Sequence, residues 1–351
     1  MTDFVDWDLA AATAGKLGPT GPKVTAAEAA EVVGQLRVLA AEAGRHVADF
    51  TGLQPRVEVL PPRIVDRVDW AKVNVDGMRT VIGPLARQLV ARTKADPDAR
   101  TPLDLVGSKV TGVQAGTVLA YLSGRVLGQY EVFSADPGRL LLVAPNIAAV
   151  ERKLGAEPRD FRLWVCLHEV THQTQFTAVP WLRDHFLAEV QAFVDAADVD
   201  TGQLLARVRR ALSAVADLAR DPQARSSVLD VVQSPAQKEV MNRLTALMTL
   251  VEGHAEVVMD GVGPQVIPSV EAIRQRFNAR RTASNPVEGM VRRVLGIEAK
   301  MRQYAEGRRF VADVIDRVGM AGFNEIWTSP ATLPTLDEIS DPDAWIARVL
   351  A

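Results

Sequence analysis

Cysteine occurs once in 351 residues, at Cys166. No internal disulfide can form, and such a chain suits a reducing compartment such as the cytosol. A basic excess is missing too: 40 Lys and Arg stand against 43 Asp and Glu, a formal net charge of −3. That argues against a general nucleic-acid binder. The longest uncharged stretch that might be taken for a membrane span is 110–124 (VTGVQAGTVLAYLSG), bracketed by Lys109 and Arg125. At about fifteen residues it falls short of the roughly 20 needed to cross a bilayer. Its glycines and alanines instead predict a core helix that others approach closely. The opening MTDFVDWDLA is acidic and has no basic segment leading into an apolar one, so no secretory signal is expected. Tyrosine is scarce, with three in the chain, and histidine numbers only five.

What is present is ordinary globular material, 48% hydrophobic and 24% charged, with enough apolar surface for a sizeable core. The expected organisation is one domain over 1–351. It comprises an N-terminal helical region (1–126), a metal-site core (127–260) and a C-terminal helical region (261–351). Thr25 and Glu28 read as a capping box opening a long helix that closes near Gly52. A short strand is expected at 57–60, a helical stretch at 70–94, and two strands at 130–133 and Arg139–Val143 around Ser-Ala-Asp-Pro-Gly. Pro158 opens the next helix. Beyond residue 176 the pattern is almost wholly helical (181–199, 202–219, 235–261, 286–318), with a last helix at 344–350.

The helix opened by Pro158 contains HEVTH, with His168, Glu169 and His172 at fixed positions. Residues i and i+4 share one face of a helix, so both imidazoles can reach one metal ion. Glu169 lies one residue on, turned toward the side where a water would sit. Zinc brings the pKa of such a water to about 7, and a carboxylate beside it can take the proton during attack on a carbonyl. Leu163, Trp164, Leu167, Val170 and Thr171 give the segment a helical apolar face. Cys166 on the same helix reads as packing.

A catalytic zinc usually has three protein ligands. In the extended H-E-x-x-H-x-x-G-x-x-H pattern the glycine and third histidine would fall on Gln175 and Ala178, so that solution is excluded. The best alternative is a carboxylate from EGHAE, 252–256. Glu252 shares a helix side with Met248, Ala255 and Met259, and a buried carboxylate there needs a partner or a metal. Gly253 would let another backbone approach. Glu256, one turn on, could accept from a ligand imidazole in the outer shell. His254 is rotated about 200° from Glu252 and is better suited to the wall or outer shell than to the same metal. Glu189 and His185 are weaker alternatives.

A resemblance enters on these residues. HEVTH followed by a Glu-Gly pair on a later helix resembles the gluzincin group of zinc metallopeptidases. The whole chain is similar to an uncharacterised bacterial zincin-like family of predicted zinc-dependent hydrolases. Some of its members are associated with biosynthesis of a deazaflavin coenzyme. The stretches carrying the likeness are 5–10 (VDWDLA), 127–133 (LGQYEVF), 140–147 (LLLVAPNI), 168–176 (HEVTHQTQF), 250–260 (LVEGHAEVVMD) and 296–310 (GIEAKMRQYAEGRRF). The resemblance implies a zincin-like fold with Zn2+ held by His168, His172 and Glu252, and Glu169 as base.

The expectation is therefore an α+β, predominantly α-helical zincin-like fold with a small sheet or hairpin. Its expected activity is zinc-dependent hydrolysis of an amide, as in a peptide or small amide substrate. Nucleic acid and membrane are not expected partners, and the oligomeric state is open. Tyr304 is the candidate oxyanion donor. Nine arginines between 274 and 309 read as a solvated helical face or as a guide for an acidic substrate or a peptide C-terminus. The rival expectation is a non-catalytic zinc-binding or scaffold protein, whose metal would have four protein ligands.

Overall fold

The computed structural model describes residues 5–93, 102–134, 136–196, 235–282 and 297–351. Within them, helices surround one three-stranded sheet, the α+β and mainly helical arrangement expected. The N-terminal part holds α1 (Trp7–Leu17), α2 (Ala26–Thr51), β1 (Arg63–Val65), α3 (Arg67–Thr93) and α4 (Pro102–Ser123). The middle holds β2 (Gly128–Glu131), β3 (Arg139–Val143), α5 (Ala144–Leu154), α6 (Pro158–Ala178) and α7 (Leu182–Asp195). Then come α8 (Pro235–Gly261), α9 (Val270–Thr282), α10 (Ile297–Phe323) and the short α11 (Leu336–Ser340) and α12 (Pro342–Leu350). The helix expected at 202–219, the end of that expected at 181–199 and the first part of that expected at 286–318 lie outside the described residues.

The capping box is formed: Thr25 and Glu28 exchange side-chain and backbone hydrogen bonds at the start of α2, and Gly52 closes it in the left-handed region at φ 70°. Pro158 occupies the first turn of α6 under the cap of Glu157, whose carboxylate accepts from the Asp160 N–H at 2.7 Å.

Several local expectations fail for identifiable reasons. Residues 57–60 are not a strand. The strand lies past Pro61-Pro62, two residues without an N–H to donate, and pairs with β3 in parallel. β2 begins at Gly128 rather than 130. It ends at Glu131 because the Glu131 carboxylate takes the N–H groups of Phe133 and Ser134, at 2.7 and 3.0 Å, out of the ladder. The 110–124 stretch is not a core helix. Only the α4 face carrying Gly112, Gly116, Leu119 and Ala120 is buried, while Val110, Val113 and Val118 are exposed. The small residues were correctly suggestive of close approach: a Cβ at Gly112 or Gly116 would lie 2.5 Å from the Asp6 or Ala10 carbonyl of the α1 region.

The strand order is β1-β3-β2, with β2 antiparallel to β3. β3 is thus the central strand and β2 an outer one. Covered on both faces, β3 reads as the unbroken apolar run Leu140–Val143. Its alternate side chains feed two cores. Leu140 and Leu142 join α2, α5, α6 and the end of α8; Leu141 and Val143 join α1, α3 and α4. A third cluster packs α8 against α10 and the C-terminal helices around Phe310, Phe323 and Trp345.

α6 runs through the middle. Phe161, Leu163, Cys166 and Leu167 are fully buried, as are Thr171 and Gln175. Burying each large apolar side chain contributes about 1.5–3 kcal/mol. At its start the buried Arg162 forks onto Glu151 of α5 at 2.7 and 2.9 Å. Asp160 accepts from the Ser269 N–H and hydroxyl at 3.0 and 2.6 Å, fastening the start of α9 beside it. No helix among the described residues is long and apolar enough to cross a membrane.

Candidate metal centre

His168 and His172 project from one face of α6, as the i, i+4 spacing requires, toward α8. Their Nε2 atoms are 3.3 Å apart. Glu252 of α8 brings Oε2 to 3.6 Å from the first and 3.9 Å from the second. A circle through three atoms so separated has a radius of about 2.1 Å, which matches zinc–nitrogen and zinc–carboxylate bond lengths of roughly 2.0–2.2 Å. Among the described residues no other His, Cys, Asp or Glu shares this cluster. Glu189, one alternative, is held by Arg243 at 3.0 Å. His185 stacks edge-on against Trp181.

The hydrogen bonds behind the imidazoles decide their tautomers. Gln175, one turn after His172, donates from Nε2 to the Val251 carbonyl of α8 at 2.9 Å and faces His254 Nδ1 at 3.0 Å. Both amide hydrogens are thereby used, and Oε1 is left to accept from His172 Nδ1 at 3.0 Å. The His172 proton therefore resides on Nδ1, and the bare Nε2 lone pair points at the cluster. A bare lone pair facing another imidazole and a carboxylate at such distances is stabilised by a proton or a cation placed between them. The donor set therefore fits a divalent metal. Gln175 was legible only as a departure from another motif; that it would carry the outer shell was not. Met259 was read as apolar lining, yet its sulfur lies 3.1 Å from His168 Nδ1.

His254 does not face the cluster. It is fully buried, stacked on Phe323 at 5.3 Å and packed on Trp327 at 5.5 Å. Burial, helped by the nearby His172, pushes its pKa down to about 3. It is neutral and accepts from the Gln175 amide, one link behind His172. Glu256 lines the same cavity as Glu252. Tyr304 falls on α10 just before Ala305, which lines the cavity; its side chain is outside the described residues.

Glu169 is buried against the outer strand. At Gly128 of β2 a Cβ would stand 2.6 Å from Glu169 Cγ and Cδ, so the absence of a side chain there makes room for the carboxyl. Burial first, and the Glu252 charge second, raise its pKa well above the usual carboxylate range. On the far side of α8, Gly253 meets α10 backbone to backbone: a Cβ would lie 2.2 Å from the Gly307 carbonyl carbon. That is the close approach expected of Gly253.

These groups open onto a cavity of about 650 Å³. His168, Glu169 and Glu252 line it, with Val126–Gly128 on one wall and Arg274, Phe277, Asn278 and Arg308 on another. A helix-borne imidazole pair completed by an acid from a second helix, at the floor of an open cleft, is the arrangement of a metal-dependent hydrolase. The chain belongs to the zincin-like metallopeptidase family, whose profile matches residues 5–346. A solved structure from Chloroflexus aurantiacus, described as a "putative hydrolase with a novel fold", is similar over 98% of both chains. It is 29% identical, with a TM-score of 0.69. No curated protein matches the chain significantly.

Proposed function

We infer that this chain is a zinc-dependent hydrolase cleaving an amide bond, in a peptide or a small amide. One observation carries the reading: three donor atoms lie on a circle of about 2.1 Å radius, at the wall of a cavity that also contains the buried carboxyl of Glu169. His168, His172 and Glu252 would hold the ion. A bound zinc would supply Lewis-acid activation of a water and of the substrate carbonyl.

The protein's own groups do the rest. Gln175 keeps the proton of His172 on the nitrogen facing away from the ion site. Glu169, whose carboxyl lines the same cavity, takes the proton of the attacking water and returns it to the leaving amine. Gly128 gives that carboxyl its space. The Val126–Gly128 wall runs into the outer strand β2, alongside which an extended substrate would lie. Tyr304 is the candidate donor to the developing oxyanion.

The test is metal content of purified parent, His168→Ala, Glu252→Ala and Glu169→Gln, read alongside hydrolysis of a quenched peptide library. One zinc per chain is expected in the parent and Glu169→Gln and none in the other two, with hydrolysis in the parent alone. A Glu169→Gln protein as fast as the parent would overturn the mechanism. Stoichiometric zinc with no hydrolysis by the parent would instead support a non-catalytic zinc protein.

A further inference from the structure

The cavity has a second charged feature that the hydrolytic chemistry does not use. Asp260 is two turns beyond Glu252 on α8, and two guanidinium groups converge on it. Arg274 of α9 grips both carboxylate oxygens end-on. Arg308 of α10 approaches side-on, with Nε and Nη2 at 3.1 and 3.0 Å from Oδ2. Both arginines line the cavity, with side chains 28% and 45% exposed. Together they fasten α9 and α10 to α8 through a single acid. Two cations sharing one anion leave a net positive charge at the cavity wall. Arg308 Nη1 makes no bond with a described residue, so donors remain for a ligand.

We propose that Arg274 and Arg308 form an anion subsite that binds a carboxylate of the substrate, remote from the bond that is cleaved. A guanidinium pair offers the planar, charge-assisted donors that a carboxylate accepts best. Its place along α8 sets the substrate's dimensions. Eight residues at about 1.5 Å of rise separate Asp260 from Glu252 by about 12 Å, which corresponds to roughly three to four extended residues. Glu256 stands between them on the same cavity wall. The cavity's volume of about 650 Å³ lies in the range of small-ligand pockets. The substrate class is therefore a short acidic amide or peptide whose free carboxylate sits about three residues from the scissile bond.

This inference takes its choice of a peptide from the hydrolase reading, but binding tests it separately from turnover. The probes are N-acetyl-tetraalanine as the free acid and as its C-terminal amide. Their dissociation constants are measured with zinc-loaded Glu169→Gln protein and with the chelator-treated parent. The free acid is expected to bind at least about tenfold tighter than the amide in both. In Arg308→Gln and Arg274→Gln, checked for parent-like circular dichroism, the two probes should bind equally, and Arg308→Lys should recover part of the difference. Equal binding of acid and amide to the parent would overturn the proposal, as would no detectable binding of either at millimolar concentration. A preference surviving both Gln variants would place the carboxylate elsewhere and refute it as well. A preference present while the zinc-loaded parent hydrolyses nothing in the peptide library would sink the enzyme reading and leave the anion subsite standing.

Discussion

Replacing Gln175 by leucine tests whether the outer shell, rather than the ligands alone, makes the metal centre. Leucine keeps the volume of a fully buried side chain but removes three hydrogen bonds, to His172 Nδ1, His254 Nδ1 and the Val251 carbonyl. Val251 lies within α8, where its carbonyl also serves the helix. His254 is hit harder, because its Nε2 already lacks a partner. With two ring nitrogens left unsatisfied in the interior, the metal-free protein should lose about 3 kcal/mol. For a chain of this length that lowers Tm by about 4 °C. His172 would no longer be held with its proton on Nδ1, and zinc affinity should fall 10- to 100-fold, an order-of-magnitude figure for outer-shell partners. Chelator competition measures the affinity, and nitrogen-15 spectra of the imidazoles report the tautomer directly. An unchanged affinity with an unchanged His172 tautomer would refute the assignment of Gln175, whatever happened to Tm.

Other outcomes follow from the same geometry. Glu169 has a folded-state pKa above its unfolded value near 4.5, so its contribution is intact below that pH and is lost as pH rises toward the folded value. Metal-free Glu169→Gln should therefore gain on the parent in Tm as pH rises above about 4.5, and a difference that stays constant through that rise would count against a buried, neutral carboxyl. Gly128→Ala should leave zinc content unchanged and cut kcat by about tenfold or more, because the added methyl displaces Glu169; a parent-like kcat would contradict that contact. Gly253→Val should destabilise by about 1–3 kcal/mol or more, read by chemical denaturation, and a neutral result would mean that the crossing with α10 can give.

Much of the centre was visible in the sequence because helical periodicity carries information over short distances. HEVTH sets two imidazoles and a carboxyl by spacing within α6, and Glu252 stood out as an acid on an apolar face of α8. The Thr25–Glu28 cap and the close approach at Gly253 were legible for the same local reason. Longer-range facts were not. Nothing within Arg139–Val143 says that it lies between two other strands, since one of its partners, β1, comes from more than seventy residues earlier. The exposure of one α4 face depends on α1 covering only the other. Asp260, Arg274 and Arg308 lie on three helices, and the sequence showed only a run of basic residues with no indication of which would face the cavity.

The crossing of α8 and α10 through Gly253 and Gly307 places bare backbone directly behind a residue assigned to the metal. Bulk inserted there would have to shift one of the two helices, and a shift of α8 would carry Glu252 with it. Were zinc bound as proposed, its occupancy would gauge that displacement, and ion loading would register a disturbance in the C-terminal packing before the fold itself gave way.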